Sequence, residues 1–324
     1  FMQAVLGLIA YAPPGCKPAK RLKKEITGLS IIFPENPDEP YIDLQGSSLF
    51  AGFKNLEYLE LINCRSLTDL GGLSGLKKLR YLWFRDCVQL KGLEGLNNLS
   101  GLYEIDLTGC TSLENVDGLE GLKNITTVKL NGCSSLKNLE GLKGLRNISY
   151  ISIDNCGSLE NIDVLGGMKD IWALNLTNCG KLSDIKELKR IKRLNALRIN
   201  DIQYENLDII AELTQLIEIC IRSSTGRSKL NDITGLSKMT ELQSLDLSGS
   251  IELETLRSLE GCKSLKKINL KNCKMLINID ALLDLPALEQ ILLRGSGVKR
   301  DNCPARLLHI ADWRSTDLDL DFVY

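Results

Sequence analysis

The sequence has no excess of charge of either sign and no apolar run long enough to span a membrane. Its 40 Lys and Arg residues are balanced by 41 Asp and Glu residues, which gives a net charge of -1. A chain without net charge has no general attraction for nucleic acid or for an anionic membrane. No apolar run reaches the roughly 18 residues that a transmembrane helix requires. We therefore expect no nucleic-acid partner and no membrane span.

The sequence also has almost no histidine, a residue that often carries catalysis or binds metals. Its single histidine, His309, lies in PARLLHIADW, which we predict to be an amphipathic helix opened by Pro304. No Walker loop, nucleophile elbow or zincin motif is present. The many Gly-x-x-Gly pairs belong to a repeated GLxGL segment and carry no nucleotide-binding meaning. We expect no enzymatic activity, no metal site and no cofactor.

What the sequence does contain is one unit repeated along most of its length. Units begin at Leu56 and recur every 23 residues up to residue 194, where one unit of 22 and one of 26 residues interrupt the period. Each unit opens LxxLxLxxC, and the alternation at its centre is typical of a short strand with one buried face. Leucines then recur at every third position, as at Leu136, Leu139, Leu142 and Leu145. This spacing indicates 3₁₀ turns rather than an α-helix.

The repeats predict an α/β-type solenoid. We expect a right-handed superhelix, or horseshoe, with a parallel β-sheet on its concave side and mainly 3₁₀ or extended segments on its convex side. The predicted organisation is an N-terminal cap over residues 1–25, with a short apolar helix in MQAVLGLIAYA, a solenoid over 26–298, and a C-terminal cap helix and tail over 299–324. The solenoid has ten full repeats from 56 to 287, an irregular first repeat and a partial last one. We expect a monomer.

These segments resemble those of leucine-rich repeat proteins over about residues 26 to 298. The GLxGLxxL half, as in Gly72 to Leu79, is similar to the short repeats of protein phosphatase regulatory subunits and bacterial internalins. The LxLxxCxxL half, as in Leu107 to Leu113, is similar to the cysteine-type repeats of plant resistance receptors and some protist proteins. The chain departs from the short repeats by carrying Cys where they usually carry Asn. The resemblance implies the solenoid fold.

A cysteine recurs where each predicted strand turns toward the convex side. These residues are Cys64, Cys87, Cys110, Cys133, Cys156, Cys179 and Cys273. We interpret them as a ladder of buried thiols that donate weakly to backbone carbonyls, with serine as the substitute at Ser250 and Ser296. Their spacing does not match a zinc site, and unpaired thiols favour a reducing compartment. Cys262 is predicted to replace a core leucine, and Cys220 to point outward as the one exposed, reactive thiol.

Residues between the buried strand positions are predicted to face solvent on the concave side. We predict a partner-binding site there, formed by Tyr58, Glu60, Tyr81, Trp83, Arg85, Tyr103, Asp106, Lys129, Tyr150, Asp154 and Trp172. Tyr, Trp and Arg are enriched in interaction hot spots, although strands favour aromatic residues for other reasons too. The last four repeats place Arg198, Arg222, Asp246, Lys267, Asn269 and Lys271 on the same face, without an aromatic residue.

The predicted function is a non-catalytic protein-protein interaction scaffold that binds a protein partner through its concave face, in the cytoplasm. Two alternatives stay open: a ligand-sensing or receptor module of a larger signalling protein, and a secreted adhesin or virulence-type binder. Four Asn-x-Ser/Thr triplets, at Asn98, Asn124, Asn147 and Asn175, would matter only in a secretory compartment. The basic segment RSSTGRSK, residues 222–229, is either a second recognition loop or a tolerated insertion.

Overall fold

The structure is a computed structural model that describes residues 8–9, 26–33, 50–182, 184–200, 205–223 and 228–314. The chain divides into two compact units, Phe1–Asp170 and Ile171–Tyr324. Each unit consists of short parallel strands that alternate with 3₁₀ turns. Most of the predicted N-terminal cap, the centre of the RSSTGRSK segment and the tail after residue 314 lie outside the described residues.

The first unit contains seven strands among its described residues, and each pairs in parallel with the next in the chain. They are β1 (Leu8–Ile9), β2 (Gly28–Ile32), β3 (Tyr58–Ile62), β4 (Tyr81–Arg85), β5 (Glu104–Asp106), β6 (Thr127–Lys129) and β7 (Tyr150–Ser152). The helix predicted within MQAVLGLIAYA is wrong at Leu8 and Ile9, which pair with Leu29 and Ser30 as a strand.

The second unit likewise contains seven described strands in parallel register, each paired with its chain neighbour. They are β8 (Ala173–Asn175), β9 (Ala196–Arg198), β10 (Glu218–Cys220), β11 (Ser244–Asp246), β12 (Lys267–Asn269), β13 (Gln290–Leu292) and β14 (Ala311–Asp312). The parallel sheet expected from the central alternation of each repeat is therefore present in both units.

The return segments are 3₁₀ or extended, and the described residues contain no α-helix. The first unit has 3₁₀ turns at Gly71–Leu73, Asp117–Leu119, Glu140–Leu142 and Asp163–Gly167. The second has them at Lys186–Arg190, Asp208–Ile210, Thr234–Leu236, Arg257–Gly261, Asp280–Leu282, Arg300–Asn302 and Ala305–Leu307. The three-residue leucine period produces this structure, since side chains three apart eclipse in a 3₁₀ turn. The prediction of a 3₁₀ and extended return side is confirmed.

Glycine in the GLxGL segment is required by the close stacking of successive repeats. A Cβ atom on Gly118 would lie 2.0 Å from the carbonyl oxygen of Leu93, and one on Gly141 would lie 2.1 Å from that of Val116. Either contact is far inside van der Waals distance, so a side chain there would push the repeats apart. This spacing explains the first glycine of the GLxGL segment. The second glycine, as at Gly121 and Gly144, has open space around its Cβ position and is favoured instead by its left-handed φ.

The C-terminal cap helix predicted for PARLLHIADW is wrong. Residues Ala305–Leu307 form a 3₁₀ turn, and Ala311–Asp312 form strand β14, which pairs with β13. Leu307 is buried, but Leu308 is exposed, and the indole Nε1 of Trp313 donates to the backbone oxygen of Val298 at 2.9 Å. The segment therefore continues the repeat, because Leu307 and Ile310 keep the three-residue spacing of the return segments.

The ladder is confirmed as a row of buried cysteines. All ten cysteines among the described residues are free and buried. Five ladder thiols donate to a carbonyl oxygen 26 residues earlier in the chain, for example Cys110 to Phe84 at 3.2 Å, Cys133 to Leu107 at 3.3 Å and Cys156 to Leu130 at 3.1 Å. Cys262 makes the same kind of contact, to Leu236 at 3.4 Å, from its predicted core position. These bonds link the repeats that carry them to the preceding ones. The prediction that serine substitutes for the thiol donor is wrong at Ser250, whose buried hydroxyl has no hydrogen-bond partner among the described residues, and the Ser296 hydroxyl donates to Leu293 in its own turn at 2.8 Å.

A residue with left-handed backbone precedes the ladder position in many repeats. Asn63, Asp86, Asn155, Asn178 and Asn272 have φ between 55° and 60°, and glycine occupies the equivalent position at residues 109, 132, 249 and 295. Glycine and asparagine tolerate this conformation best. The turn that brings the thiol inward is therefore encoded in the recurring Asn-Cys and Gly-Cys pairs.

Candidate functional site

The strand register of the first unit brings most of the predicted site residues together. Tyr58 pairs with Tyr81, and Tyr81 pairs with Glu104. In the next outward row, Glu60, Trp83, Asp106 and Lys129 lie side by side on β3 to β6. Because neighbouring parallel strands are about 4.8 Å apart, these side chains are within contact distance across the face.

Four rings form what we call the aromatic patch, defined as Tyr58, Tyr81, Trp83 and Tyr103. Tyr58 and Trp83 meet edge to face with centroids 5.1 Å apart, and Tyr81 and Tyr103 do so at 6.1 Å. Tyr81 and Tyr103 are 37% and 46% exposed, whereas Tyr58 and Trp83 are half-buried. These separations are within the range in which aromatic pairs attract each other. The sequence-based expectation that these four residues lie close together is met in the geometry.

Charged side chains hold the buried half of the aromatic patch in place. The guanidinium of Arg85 lies 4.7 Å from the centre of the Trp83 ring, and the Lys129 ammonium lies 5.7 Å from it. Arg85 pairs with Glu60 at 3.6 Å and with Asp106 at 3.1 Å. Lys129 pairs with Glu104 at 2.8 Å. The cations of this face are thus neutralised by neighbouring carboxylates and also contact the indole ring.

The predicted exposure of Asp106 is wrong. Asp106 is only 2% exposed. One carboxylate oxygen accepts hydrogen bonds from the backbone N and the hydroxyl of Thr108, and the other accepts from Arg85. Alternation placed Asp106 on the correct face, but the long Arg85 side chain and the following turn cover it. Its role is to position Arg85 and the strand end.

Asp246 and Asn269 were predicted to face solvent and are instead fully buried. Asp246 accepts from the backbone N of Ser248, from Arg222 at 3.0 Å and from Asn269 at 3.0 Å. An acidic or amide side chain at this strand position recurs with the same bond to the residue two places on. The sheet face therefore uses these side chains to close the strand-end turn.

The prediction that Cys220 is exposed and reactive is also wrong. Cys220 is fully buried between its strand neighbours Arg198 and Asp246, and its Sγ donates to Asn200 Oδ1 at 3.3 Å. Burial, reinforced by the negative charge of Asp246, raises the pKa of Cys220 to about 12. A thiol that stays protonated at neutral pH is a poor nucleophile.

The remaining predicted site residues lie outside the aromatic patch. Tyr150 is half-buried on β7 beside Thr127. The backbone N of Asp154 donates to Asn131 Oδ1 at 3.0 Å. Trp172 belongs to the second unit, where it is 37% exposed at the residue before β8.

The contribution of β2 to this face was not predicted. Ser30 Oγ donates to Glu60 at 2.7 Å, and Ile32, which pairs with Ile62, is 44% exposed. The signal was present as alternation in the segment LSIIF, but that segment lies outside the regular 23-residue period. The face beside the aromatic patch is consequently more apolar than predicted.

The described parts of the chain contain no group of three or more His, Cys, Asp or Glu side chains that could hold a metal ion. None of the helices in those same parts is long and apolar enough to cross a membrane.

Stacked strand and 3₁₀ units around an inward row of leucines define a leucine-rich repeat protein. The model of the BspA type leucine rich repeat region matches the chain in six copies, over residues 54–183 and 104–227, which is more than half of its length. The chain belongs to the BspA-type leucine-rich repeat family. No curated protein matches it.

Solved structures show the same fold at low sequence identity. An internalin (inlF) from Listeria monocytogenes is 20% identical, with a TM-score of 0.61 over 92% of this chain and 89% of its own. TLR13 in its complex with ssRNA13 is 17% identical, with a TM-score of 0.64 over 85% of this chain and 41% of its own. The mouse RP105/MD-1 complex is 20% identical, with a TM-score of 0.54 over 88% of this chain and 53% of its own. At these identities the similarity defines the fold alone.

Proposed function

We propose that this protein is a non-catalytic, monomeric scaffold that binds a protein partner through the aromatic patch of its first unit. The observation that carries the proposal is the patch itself. Four rings lie on one sheet face, outside the leucine core, and two of them are more than one-third exposed. Contiguous exposed apolar surface of this kind often marks an interaction site, and Tyr, Trp and Arg dominate the binding energy of interfaces.

The aromatic patch is also held in position before any partner arrives. Tyr58, Arg85 and Lys129 all contact the Trp83 ring, so its rotation is restricted. Ordering a large side chain in advance removes part of the entropy cost of association. The Trp83 Nε1 hydrogen finds no acceptor among the described residues although it is buried. An unsatisfied donor reduces stability, and a partner oxygen that reaches it after small side-chain shifts would recover that bond.

Protein is favoured over nucleic acid as the ligand of this face. Arg85 and Lys129, the cations beside the Trp83 ring, are both paired with carboxylates. A phosphate backbone needs unneutralised cations, and the chain as a whole has a net charge of -1. The TLR13 similarity involves a structure bound to RNA, but at 17% identity it concerns the fold.

The cytoplasm is the proposed location because ten cysteines in the described residues are free. A receptor module would differ by having signalling domains in the full-length gene product. A secreted binder would differ by fractionating outside the cell, with N-linked glycans on some of its Asn-x-Ser/Thr triplets. Cell fractionation combined with thiol counting separates these candidates.

The proposal is tested by affinity capture with three baits: the wild type, Trp83→Ala, and a Lys267→Glu/Lys271→Glu control in the second unit. We expect the same protein to be captured by the wild type and by the control. Capture by Trp83→Ala should fall by at least about tenfold, which corresponds to a hot-spot contribution. Retention by Trp83→Ala together with loss in the lysine control would refute the proposed site.

A further inference from the structure

A groove runs along the edge of the first unit where strands β3 to β7 begin. It has a volume of about 720 Å³, and its lining includes Glu57, Lys77, Lys78, Arg80, Tyr103 and Asn147. These residues come from four successive repeats, at the positions just before each strand. None of them except Tyr103 belongs to the aromatic patch.

The cations of this groove differ from those beside Trp83 because no carboxylate neutralises them. None of the three cations, Lys77, Lys78 and Arg80, forms an ion pair with another described residue. Lys77 Nζ donates only to the backbone oxygen of Asn98, at 3.4 Å, and Lys78 Nζ donates to Asn55 Oδ1 at 2.8 Å. The groove lining therefore holds three cations and one carboxylate, Glu57.

The remaining lining is polar and fixed by the neighbouring repeats. The side-chain amides of Asn124 and Asn147 donate to the backbone oxygens of Ser100 and Lys123, at 2.8 and 2.7 Å. Thr126 Oγ1 contacts the Tyr103 backbone oxygen at 3.4 Å. These bonds hold the groove wall rigid while the cationic ends remain exposed. The groove is therefore ready to receive an anionic group.

Tyr103 connects the groove to the aromatic patch. Tyr103 lines the groove, and its ring contacts that of Tyr81 at a centroid distance of 6.1 Å. A ligand chain that crosses Tyr81 and Tyr103 would therefore pass directly from an aromatic surface onto a cationic one. A ligand that fits both surfaces should therefore carry an apolar or aromatic group followed by an anionic one.

We propose that the strand-entry groove binds an acidic segment of the same protein partner, with Asp or Glu side chains facing Lys77, Lys78 and Arg80. The proposal rests on the proposed function for the identity of the occupant, and charge complementarity is the reason for assigning an acidic peptide. The aromatic patch then contributes binding energy, and the groove selects partners that carry carboxylates beside an apolar or aromatic residue.

The test measures fluorescence anisotropy of a labelled peptide of about twelve residues, with four spaced glutamates and no aromatic residue, against the full chain. A peptide with glutamine at those four positions is the control ligand. The groove variant is Lys77→Glu/Arg80→Glu, and the matched protein control is Lys266→Glu/Lys267→Glu, whose side chains are exposed in the second unit. A neutralised variant, Lys77→Gln/Arg80→Gln, and circular dichroism melts guard against misfolding.

We expect the glutamate peptide to bind the wild type, and to bind it more weakly at higher salt, since exposed charge contacts are screened. Affinity should fall at least tenfold in the groove variant, fall less in the neutralised variant, and change less than twofold in the matched control. Trp83→Ala should also leave this affinity within twofold, because Trp83 does not line the groove. This independence separates a failure of the groove from a failure of the aromatic patch.

Three results would overturn the proposal. One is equal binding of the glutamate and glutamine peptides. Another is an equal loss in the groove variant and in the matched control, which would indicate non-specific charge attraction. The third is tighter, groove-dependent binding of a sulfated oligosaccharide of the same charge, which would assign the groove to a carbohydrate instead of a protein segment.

Discussion

Substitution of Cys133 tests whether the thiol ladder stabilises the stack of repeats. Its side chain is fully buried, and its Sγ donates to the backbone oxygen of Leu107 at 3.3 Å. Burial raises the pKa of this thiol well above its ordinary value, so it remains neutral. The site accommodates a neutral hydrogen-bond donor of the size of a thiol. The further a replacement departs from that size and neutrality, the more unfolding free energy the protein should lose.

The expected order of destabilisation is Cys133→Ser, then Cys133→Ala, then Cys133→Asp. Serine keeps the donor and changes little else, so the loss in unfolding free energy should be about 1 kcal/mol. Alanine removes the donor and leaves a small void, which should cost about 1–2 kcal/mol. Aspartate places a carboxylate without a partner in the core, and the cost should be at least about 3 kcal/mol.

Urea unfolding followed by circular dichroism measures these differences. Ser134→Asp serves as the control, because Ser134 is exposed beside Cys133 and the same charge there should change stability by less than about 0.5 kcal/mol. A loss below about 1 kcal/mol for Cys133→Asp, or a serine variant less stable than the aspartate variant, would refute the ladder as described.

The remaining predictions concern stacking, alkaline stability and reactivity. Gly141→Ala should destabilise the protein by more than about 2 kcal/mol in urea unfolding, whereas Gly157→Ala, which has open space around its Cβ position, should stay within about 0.5 kcal/mol. Burial raises the pKa of Cys273 from 9.0 to about 12. Above pH 9 the Cys273 thiol loses its proton in the unfolded chain but keeps it in the folded protein, so the unfolding free energy should fall as pH rises. Cys273→Ser removes this titration and should reduce the slope of unfolding free energy against pH by about 1.4 kcal/mol per pH unit. Cys220 should resist a thiol reagent in the native protein at pH 7.5 and react only after denaturation, and rapid native labelling would contradict its burial.

The features that could be predicted from the sequence are those that repeat. The LxLxxC pattern predicted the strands because alternation with one buried face has a single structural solution when units stack. The same stacking predicted the burial of Cys133 and the proximity of Trp83 to Tyr58. The three-residue leucine spacing predicted 3₁₀ turns for the same reason.

The features that could not be predicted depend on how neighbouring side chains cover a position. Alternation identifies the sheet face on which Asp106 and Cys220 lie. The burial of Asp106 depends on Arg85, and the burial of Cys220 depends on its strand neighbours Arg198 and Asp246. The last segment was misinterpreted because Leu307 and Ile310 fit both a helical and a 3₁₀ spacing over so short a length. The strand-entry groove was missed because its residues lie just before the strands, where the repeat pattern carries no constraint.

Site-specific photo-crosslinking tests most directly the claim that the aromatic patch binds a protein. A photoreactive phenylalanine analogue is placed at Tyr81 in one protein and at Lys271 in another, and both are irradiated in cells. A specific adduct should form from position 81, and it should disappear when Trp83→Ala is added to the same chain. Adducts that arise only from position 271, or that persist unchanged with Trp83→Ala, would contradict the assignment of the aromatic patch as the binding site.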